Sequence, residues 1–433
     1  MDFDIRAKLA VYRRWSCMIH FMQRMDTLIF LCLLWLAWAP GWANAAEPTP
    51  AAQADGWQTC LVELRGKALA ADLDAHTVED VLNRVEKLPR VISADRSQPE
   101  FTQTFTDYYK KRVNDFRVET GRELLVTHQA LLRRIQNNSG IPPHYLVALW
   151  GLETNFGSYF GKLSIPSALT TLACDTRRSA MFTRELLALM RIIENGDMAY
   201  EDLIGSWAGA IGHMQFMPST FLSYAVDADG DGRKNLIGSV DDALLSGATY
   251  LANAGWQPGF RWGREVMLPD NFNYALAGLD QQRALSDWRA MGVNDSFGRP
   301  IAAISLEASL LVPSGHTGPA FLVYPNFHVI MEWNRSQYYA LSVGRLADRI
   351  AGAGRLHQPL PEIALSTQAL TQLQSGLNEL GYAAGKPDGV LGPSTRKAIR
   401  AFQQANGLLA DGFPNDMLMQ SVSLQRQSRG KNQ

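Results

Sequence analysis

The sequence predicts a mainly α-helical protein, with a large helical unit followed by a small three-helix unit. Across residues 57–354, apolar side chains recur at helical spacing, for example in residues 124–135 and 184–193, and strand-like alternation is rare. Loops rich in Gly and Pro separate these stretches. Residues 355–366 contain two prolines and predict a linker before the final unit, residues 367–424.

The composition is that of a globular protein without a strong long-range attraction to nucleic acid. The chain has 433 residues, of which 46% are hydrophobic and 19% charged, which is enough material for more than one core. The 41 basic and 42 acidic residues nearly cancel. Nucleic acid is therefore not an expected partner, and any polymer must be recognised through local contacts.

The first 45 residues have the organisation of a secretory signal peptide. Basic residues precede an uncharged apolar run at residues 28–39, and Ala43 and Ala45 supply the small side chains that a signal peptidase prefers. This run is too short to cross a bilayer comfortably, so a retained membrane anchor is the weaker alternative. Cys32 lies between bulky leucines and does not suit a lipid anchor. We therefore predict cleavage near Ala45 and a periplasmic location.

Removal of this segment leaves an Ala- and Pro-rich linker, residues 46–56, and two cysteines. Cys60 and Cys174 would then lie in an oxidising compartment, where they can form a disulfide. Two buried free thiols are the alternative, because the sequence alone does not tell how far apart the two Cα atoms lie.

The C-terminal unit, residues 367–424, carries a characteristic order of helices and turns. Leu373 and Leu377 share one helical face, and Pro393 is placed to begin a second helix. Asp-Gly pairs at residues 388–389 and 411–412 indicate turns. This pattern resembles the small three-helix peptidoglycan-binding module of cell-wall hydrolases, which implies that the unit binds peptidoglycan. A helical domain with an unrelated partner is the alternative.

Glu153 is the candidate catalytic residue of the large unit. Residues 142–143, both proline, favour the start of a helix, and Gly157 is placed to end it. The same helix face also carries Leu146, Leu149 and Trp150. Partial burial among apolar side chains raises the pKa of a carboxyl group, which a general acid needs near neutral pH. A structural ion pair with Arg177 or Arg178 is the alternative.

Four segments of the large unit together resemble one family of wall enzymes. They are residues 151–157 (GLETNFG), 173–178 (ACDTRR), 206–219 (SWAGAIGHMQFMPS) and 333–339 (WNRSQYY). This set resembles the membrane-bound lytic murein transglycosylase B family, which implies a lysozyme-like catalytic domain with Glu153 as its acid/base. The resemblance also implies a sugar-binding groove lined by Ser206, Gln215, Asn334, Arg177, Arg178 and Tyr339.

The chemistry of these groove residues agrees with a glycan ligand. Hydroxyls, N-acetyl groups and lactyl carboxylates of a glycan strand suit hydroxyl, amide and guanidinium partners. Structural roles are the alternatives: Ser206 can cap a helix, and the glycines before Gln215 can serve close packing. His213 and His144 are expected to be structural, since no motif gives either one a chemical role.

Residues 227–235 match the first nine positions of an EF-hand calcium loop, with acidic side chains two residues apart and a glycine at the turn. The glutamate usual at the twelfth position is replaced by Gly238, so Asp241 or Asp242 must complete the site. We predict that the residues binding a structural Ca²⁺ are Asp227, Asp229, Asp231, Arg233 through its carbonyl, and Asp242. An acidic turn without metal is the alternative, and no organic cofactor is expected.

The resemblance and the chemistry of Glu153 together predict a lytic transglycosylase. Such an enzyme cleaves the β-1,4 bond between MurNAc and GlcNAc without water and leaves 1,6-anhydro-MurNAc ends. Most glycosidases need two carboxylates, but here only Glu153 carries a catalytic motif, and an attack by the sugar's own 6-hydroxyl can replace an activated water. The alternatives are a hydrolytic muramidase, in which Asp175 activates water, and a non-catalytic wall-binding scaffold. The expected partners are peptidoglycan glycan strands and, beside them, other cell-wall enzymes.

Overall fold

The computed structural model describes residues 50–96, 103–361 and 366–431. The segment interpreted as a signal peptide, residues 1–45, lies outside these ranges. None of the helices in the described ranges is both long enough and apolar enough to cross a bilayer. The described chain is mainly helical, which confirms the fold class expected from the sequence.

Helices account for most of the regular structure. The first part of the chain forms α1 (Pro50–Ala70), α2 (Ala75–Arg84), α3 (Pro89–Arg96), α4 (Phe105–Arg112), α5 (Asp115–Thr127), α6 (Gln129–Ser139), α7 (Pro143–Thr154), α8 (Ile165–Ala173) and α9 (Ser179–Glu194). The next helices are α10 (Pro218–Tyr224), α11 (Val240–Asn253), α12 (Leu285–Ala290), α13 (Pro325–Trp333) and α14 (Gln337–Ile350). The C-terminal unit contains α15 (Thr367–Glu379), α16 (Pro393–Ala405) and α17 (Asp416–Lys431).

Helix α1 begins earlier than the sequence predicts. Residues 46–56 are expected to form a flexible linker, yet the helix starts at Pro50 and includes residues 50–56. Proline is favourable in the first turn of a helix, and Ala51 and Ala52 have the highest helix propensity of any residue type. The alanines of this stretch therefore extend the helix.

Helix α7 is the central element of the large unit. Proline occupies its first position, and the side chains are buried on all sides from Tyr145 to Trp150. It packs against α5 and α14, and α14 is itself buried from Tyr339 to Ile350. Because α7 is enclosed by other helices, the residues of its last turn have a fixed position.

A five-stranded antiparallel sheet, which the sequence pattern did not reveal, lies between α11 and α13 in the chain. Its strands are β3 (Gly263–Met267), β4 (Gln282–Ala284), β5 (Asn294–Asp295), β6 (Glu307–Leu311) and β7 (Ala320–Val323), in the order β4-β6-β7-β3-β5. Every residue of β7 is buried, so both faces of this strand are covered. A strand covered on both faces does not show polar and apolar alternation. A two-stranded ribbon, β1 (Leu163–Ser164) and β2 (Ile204–Gly205), lies earlier in the chain.

In the C-terminal unit, a buried glutamine holds each Asp-Gly turn. Nε2 of Gln374 donates to Asp388 at 2.9 Å, and Oε1 of Gln374 accepts the N–H of Gly389 at 2.8 Å. Gln403 makes the same two bonds with residues 411–412, at 2.9 and 2.8 Å. The same arrangement, a helix glutamine bonded to an Asp-Gly turn, therefore occurs twice in this unit. Its apolar core consists of Leu373, Leu377, Ile399, Phe402, Leu418 and Val422.

The segment between the two units is attached to the large unit. The carboxylate of Glu265 accepts the N–H of His357 at 2.9 Å and the N–H of Gln358 at 2.8 Å. Thr106 Oγ1 of α4 donates to the carbonyl of Pro361 at 2.9 Å. The described residues 355–361 of the predicted linker are therefore held by specific hydrogen bonds, and do not behave as a free tether.

Cys60 of α1 and Cys174, which follows α8, form a disulfide, with Cα atoms 5.8 Å apart. Of the two states considered from the sequence, the structure contains the bonded one. The two residues are 114 positions apart, so the bond restricts a long segment of the unfolded chain. It also joins α1 to the loop of residues 175–178.

The double substitution Cys60→Ser, Cys174→Ser should lower the free energy of unfolding by about 2–5 kcal/mol, because the unfolded chain regains the freedom that the long loop had lost. Urea denaturation followed by circular dichroism measures this change. The wild type treated with dithiothreitol should match the variant. An unchanged urea midpoint in both samples would contradict a stabilising disulfide.

Candidate active site

Glu153 lies in the last turn of α7, immediately before an unusual reversal of the backbone. Asn155, Phe156 and Gly157 all have positive φ, of 50°, 61° and 79°. The sequence placed the helix end at Gly157, but the left-handed conformation already starts at Asn155. Such a conformation costs a non-glycine residue about 1 kcal/mol or more. The surroundings of the turn must therefore hold it in place.

Residues 206–216 hold this reversal against the end of α7. Thr154 Oγ1 donates to the carbonyl of His213 at 3.0 Å, and Trp150 Nε1 donates to His213 Nδ1 at 2.9 Å. A Cβ at Gly157 would lie 2.4 Å from the ring of His213, so no larger residue fits there. Burial lowers the pKa of His213 to about 4. His213 is therefore a neutral packing residue, in agreement with its expected structural role.

The carboxyl group of Glu153 is held through one oxygen. Trp333 Nε1, at the end of α13, donates to Oε1 at 3.0 Å, and the hydroxyl of Tyr339, in the first turn of α14, donates to the same atom. Burial raises the pKa of Glu153 to about 7, although both hydrogen bonds and the positive charge of Arg112 act in the opposite direction. Among the described residues no donor bonds the other oxygen, Oε2, and the side chain remains partly accessible. Glu153 can therefore present a proton to a ligand near neutral pH.

Trp333 and Arg112 are two parts of this site to which the sequence gave no role. Trp333 lies in the segment WNRSQYY, and its position next to Asn334 is the sequence feature that could have indicated a role in the site. Arg112 ends α4 and lies over the ring of Tyr108, with 4.9 Å between its Cζ atom and the ring centroid. Arg112 belongs to no recognised sequence motif, so its effect on Glu153 becomes visible only in the folded structure.

Gln215 and Asn334 belong to segments that meet beside Glu153. The ring of Phe216, which follows Gln215, lies 5.4 Å from that of Trp333, which precedes Asn334. Gln215 has a positive φ of 48°, and its Nε2 donates to the carbonyl of Gly212 at 2.9 Å. Asn334 ends α13 with an exposed side chain.

Ser206 and Tyr339 have defined hydrogen bonds of their own. Ser206 Oγ accepts the N–H of Ala210 at 2.9 Å and so closes the turn before Gln215. Tyr339 is only 4% exposed and directs its hydroxyl to Glu153. Tyr339 is thus a partner of the carboxyl group and offers little surface for a sugar ring to contact.

Arg177 and Arg178 both pair with Asp95, a buried carboxylate at the end of α3. Neither forms an ion pair with Glu153 among the described residues, so the structure does not support the ion-pair alternative for that glutamate. The two arginines, together with Lys67 and Arg184, line an open cavity of about 670 Å³. This cavity is strongly basic and suits an anionic group.

Asp175, the carboxylate considered as a water activator, is held by other groups. Its side chain pairs with Arg96 at 2.9 Å and accepts the N–H of Arg177 at 3.0 Å. The ion pair and the hydrogen bond together engage both carboxylate oxygens of Asp175.

The acidic loop brings three of the predicted metal ligands together. Carboxylate oxygens of Asp227, Asp229 and Asp242 lie within 4.8 Å of one another. Asp242 is fully buried and accepts N–H groups from Ala228 at 2.8 Å and from Asn235 at 2.7 Å. Clustered oxygen ligands of this kind suit a calcium ion.

Asp231 is not one of these three residues. Its carboxylate accepts the N–H of Arg233 at 2.8 Å within the loop. Asp242, near the start of α11, supplies the third carboxylate of the cluster.

Two family profiles match the chain. The transglycosylase SLT domain matches residues 56–348, and a peptidoglycan binding domain matches residues 366–421. The membrane-bound lytic murein transglycosylase B of Escherichia coli (strain K12) is 30% identical over 301 residues, which is 64% of this chain and 78% of that protein.

Solved structures of related enzymes are similar as well. SltB3 from Pseudomonas aeruginosa in complex with NAG-NAM-pentapeptide is 41% identical, with a TM-score of 0.81, over 84% of this chain and 99% of that chain. The same protein has been solved with NAG-anhNAM-pentapeptide. The Escherichia coli lytic transglycosylase Slt35 in complex with calcium is 28% identical, with a TM-score of 0.58, over 68% of this chain and 92% of that chain.

The substitution Tyr339→Phe should raise the pKa of Glu153 further above 7, because the carboxylate loses one of its two hydrogen bonds while its burial remains. A ¹³C NMR titration of the Glu153 carboxyl group measures this shift. Tyr382→Phe in the C-terminal unit serves as the control and should leave the titration unchanged. An unchanged or lower pKa in Tyr339→Phe would show that the hydroxyl does not stabilise the carboxylate.

Proposed function

The chain belongs to the transglycosylase SLT domain family and is a lytic transglycosylase of peptidoglycan, and on this premise we propose that Glu153 performs both proton transfers of the cleavage. The observation that carries this proposal is the raised pKa of a carboxyl group anchored through one oxygen only. An acid with a pKa close to the working pH can both donate and accept a proton.

The first step is protonation of the leaving oxygen. Glu153 gives its proton to the glycosidic oxygen of GlcNAc while the bond from that oxygen to C1 of MurNAc breaks. The carboxylate formed in this step keeps its two hydrogen bonds, from Trp333 and from Tyr339. These bonds stabilise the charge that the apolar surroundings disfavour.

The second step is closure of the anhydro ring. The 6-hydroxyl of the same MurNAc attacks C1 and forms the new C–O bond, and the Glu153 carboxylate takes up the hydroxyl proton. The nucleophile is already part of the sugar, so a high effective concentration replaces a positioned water. The engagement of Asp175 by Arg96 also favours this route over hydrolysis.

We propose that the remaining groove residues bind the strand on either side of Glu153. The side chains of Ser206, Gln215 and Asn334 offer hydroxyl and amide groups that suit a glycan. The basic cavity at Arg177 and Arg178 suits the lactyl or peptide carboxylates of the substrate. Tyr339 acts through Glu153, since its hydroxyl is engaged there.

We propose that the acidic loop binds a structural Ca²⁺ through Asp227, Asp229 and Asp242. Their clustered carboxylates repel one another without a cation, and the relative Slt35 has been solved with calcium. The ion would neutralise this cluster and stabilise the connection between α10 and α11. It takes no part in the proton transfers proposed for Glu153.

Cleavage of peptidoglycan takes place outside the cytoplasm, so the enzyme acts there. We propose that residues 1–45 direct its export to the periplasm and are removed near Ala45. The support for this step is the order of basic, apolar and small residues in that segment.

The substitution Glu153→Gln should reduce strand cleavage by about 10²–10⁴-fold, since the amide can neither donate nor accept the required proton. Mass spectrometry of digested sacculi measures the products, and the wild type should release 1,6-anhydro ends. Binding of Glu153→Gln to sacculi in a pull-down assay should be retained, which controls for folding. Reducing ends from the wild type would favour a hydrolytic muramidase, and full strand cleavage by Glu153→Gln would contradict the catalytic role of Glu153.

Calcium should stabilise the protein against unfolding. At a concentration about 100-fold above Kd, the free energy of unfolding should rise by about 2.7 kcal/mol relative to a sample with EGTA. Thermal or urea denaturation measures this difference, and Mg²⁺ at the same concentration should give a smaller effect. Asp229→Asn should lose the calcium response, whereas Asp270→Asn, on the surface outside the loop, should keep it. Equal responses in these two variants would argue against the loop as the binding site.

A further inference from the structure

The C-terminal module is joined to the large unit by partly buried polar contacts. Asp411, of the second Asp-Gly turn, is only 2% exposed and binds the side chain of His316 at 2.7 Å and its N–H at 3.0 Å. A Cβ at Gly315 would lie 2.8 Å from both Asp411 and Phe413, so the two surfaces meet closely. The receiving loop, residues 312–319, connects β6 and β7. Close packing and a shared carboxylate hold the module in one position on this loop.

Arg396 of α16 extends from the module toward the catalytic helices. Its Nη2 atom donates to the hydroxyl of Tyr338 at 2.8 Å and to the carbonyl of Pro313 at 3.2 Å. Its guanidinium also lies against the ring of Phe413, with 5.6 Å between Cζ and the ring centroid. Arg396 therefore connects the module, the sheet loop and the start of α14.

Tyr338 occupies the position next to Tyr339 in the first turn of α14. Its ring lies 5.4 Å from Phe105 and 6.1 Å from Tyr108, both of which belong to α4. Tyr108 in turn carries Arg112, whose charge acts on Glu153. Tyr338 is thus connected to Glu153 by two sets of contacts. One runs through its neighbour Tyr339, whose hydroxyl bonds Glu153, and the other runs through the side chains of α4.

We propose that Arg396 is a positioning residue for the proposed catalyst Glu153, acting from the wall-binding module through Tyr338 and the first turn of α14. The module then has two roles, since it binds the wall and also completes the support of the active site. This inference rests on the proposed role of Glu153. Truncation of the module would accordingly slow bond cleavage, in addition to weakening wall binding.

The test compares variants of the full-length enzyme on a soluble muropeptide oligomer of two disaccharides. Arg396→Ala removes the guanidinium, and Tyr338→Phe removes only the hydroxyl that accepts its N–H. Each should lower kcat about tenfold with little change in KM, because a displaced catalytic group loses rate before it loses substrate affinity. The pH profile should also shift upward, since a weakened Tyr339 bond raises the pKa of Glu153.

The double variant should be no slower than either single variant, because both changes break the same contact. Lys397→Ala, which removes an exposed cation from the same helix, is the matched control and should behave as the wild type. Arg396→Lys should restore part of kcat. A kcat and pH profile that stay unchanged in Arg396→Ala and Tyr338→Phe, or rate losses that add in the double variant, would overturn the proposal.

The Glu153→Gln variant separates the two levels of inference. If Glu153→Gln is inactive while Arg396→Ala and Tyr338→Phe match the wild type, only the positioning role fails. If Glu153→Gln remains active on the same oligomer, the proposed catalytic role of Glu153 fails, and the role of Arg396 falls with it.

Discussion

The convergence of two hydrogen bonds on Oε1 of Glu153 is the constraint on which the rest of the site depends. Trp333 Nε1 at 3.0 Å and the Tyr339 hydroxyl must both reach one atom at the end of α7. The end of α13 and the start of α14 must therefore meet there. The two bonds stabilise the carboxylate, while burial stabilises the protonated acid, and the balance places the pKa at about 7. A pKa near the working pH favours both of the proton transfers proposed for Glu153.

The left-handed turn after α7 also helps to fix the position of Glu153. Residues 155–157 reverse the chain directly after the last turn of α7. His213 accepts hydrogen bonds from Thr154 and Trp150, and these bonds offset the strain of the left-handed backbone. The reversal leaves room for residues 206–216 to pass close to the carboxyl group. The proposed groove residues Ser206 and Gln215 therefore depend on a strained backbone as much as on their own chemistry.

The sheet and the C-terminal module add further contacts that support the active-site helices. The loop between β6 and β7 receives Asp411, and Arg396 of the module bonds Tyr338 beside the active site. The N–H groups of residues 357–358 donate to the carboxylate of Glu265 and so hold the intervening segment in place. A module that is attached in this way has a fixed orientation relative to the loop between β6 and β7. A long flexible tether would only raise the local concentration of substrate.

The sequence by itself determined the helical class, the module pattern and the choice of Glu153 as the candidate catalyst, because helical periodicity and local motifs are properties of neighbouring residues. It also indicated the acidic loop and named Asp242 among its acidic residues, and the structure places the carboxylates of Asp227, Asp229 and Asp242 together. Only the tertiary structure decided the partners: Trp333 and Arg112 at Glu153, and Asp95 for the two arginines. These contacts join residues more than 40 positions apart, and no local spacing encodes them. The pKa of Glu153 belongs with them, since it arises from burial by helices distant in the chain.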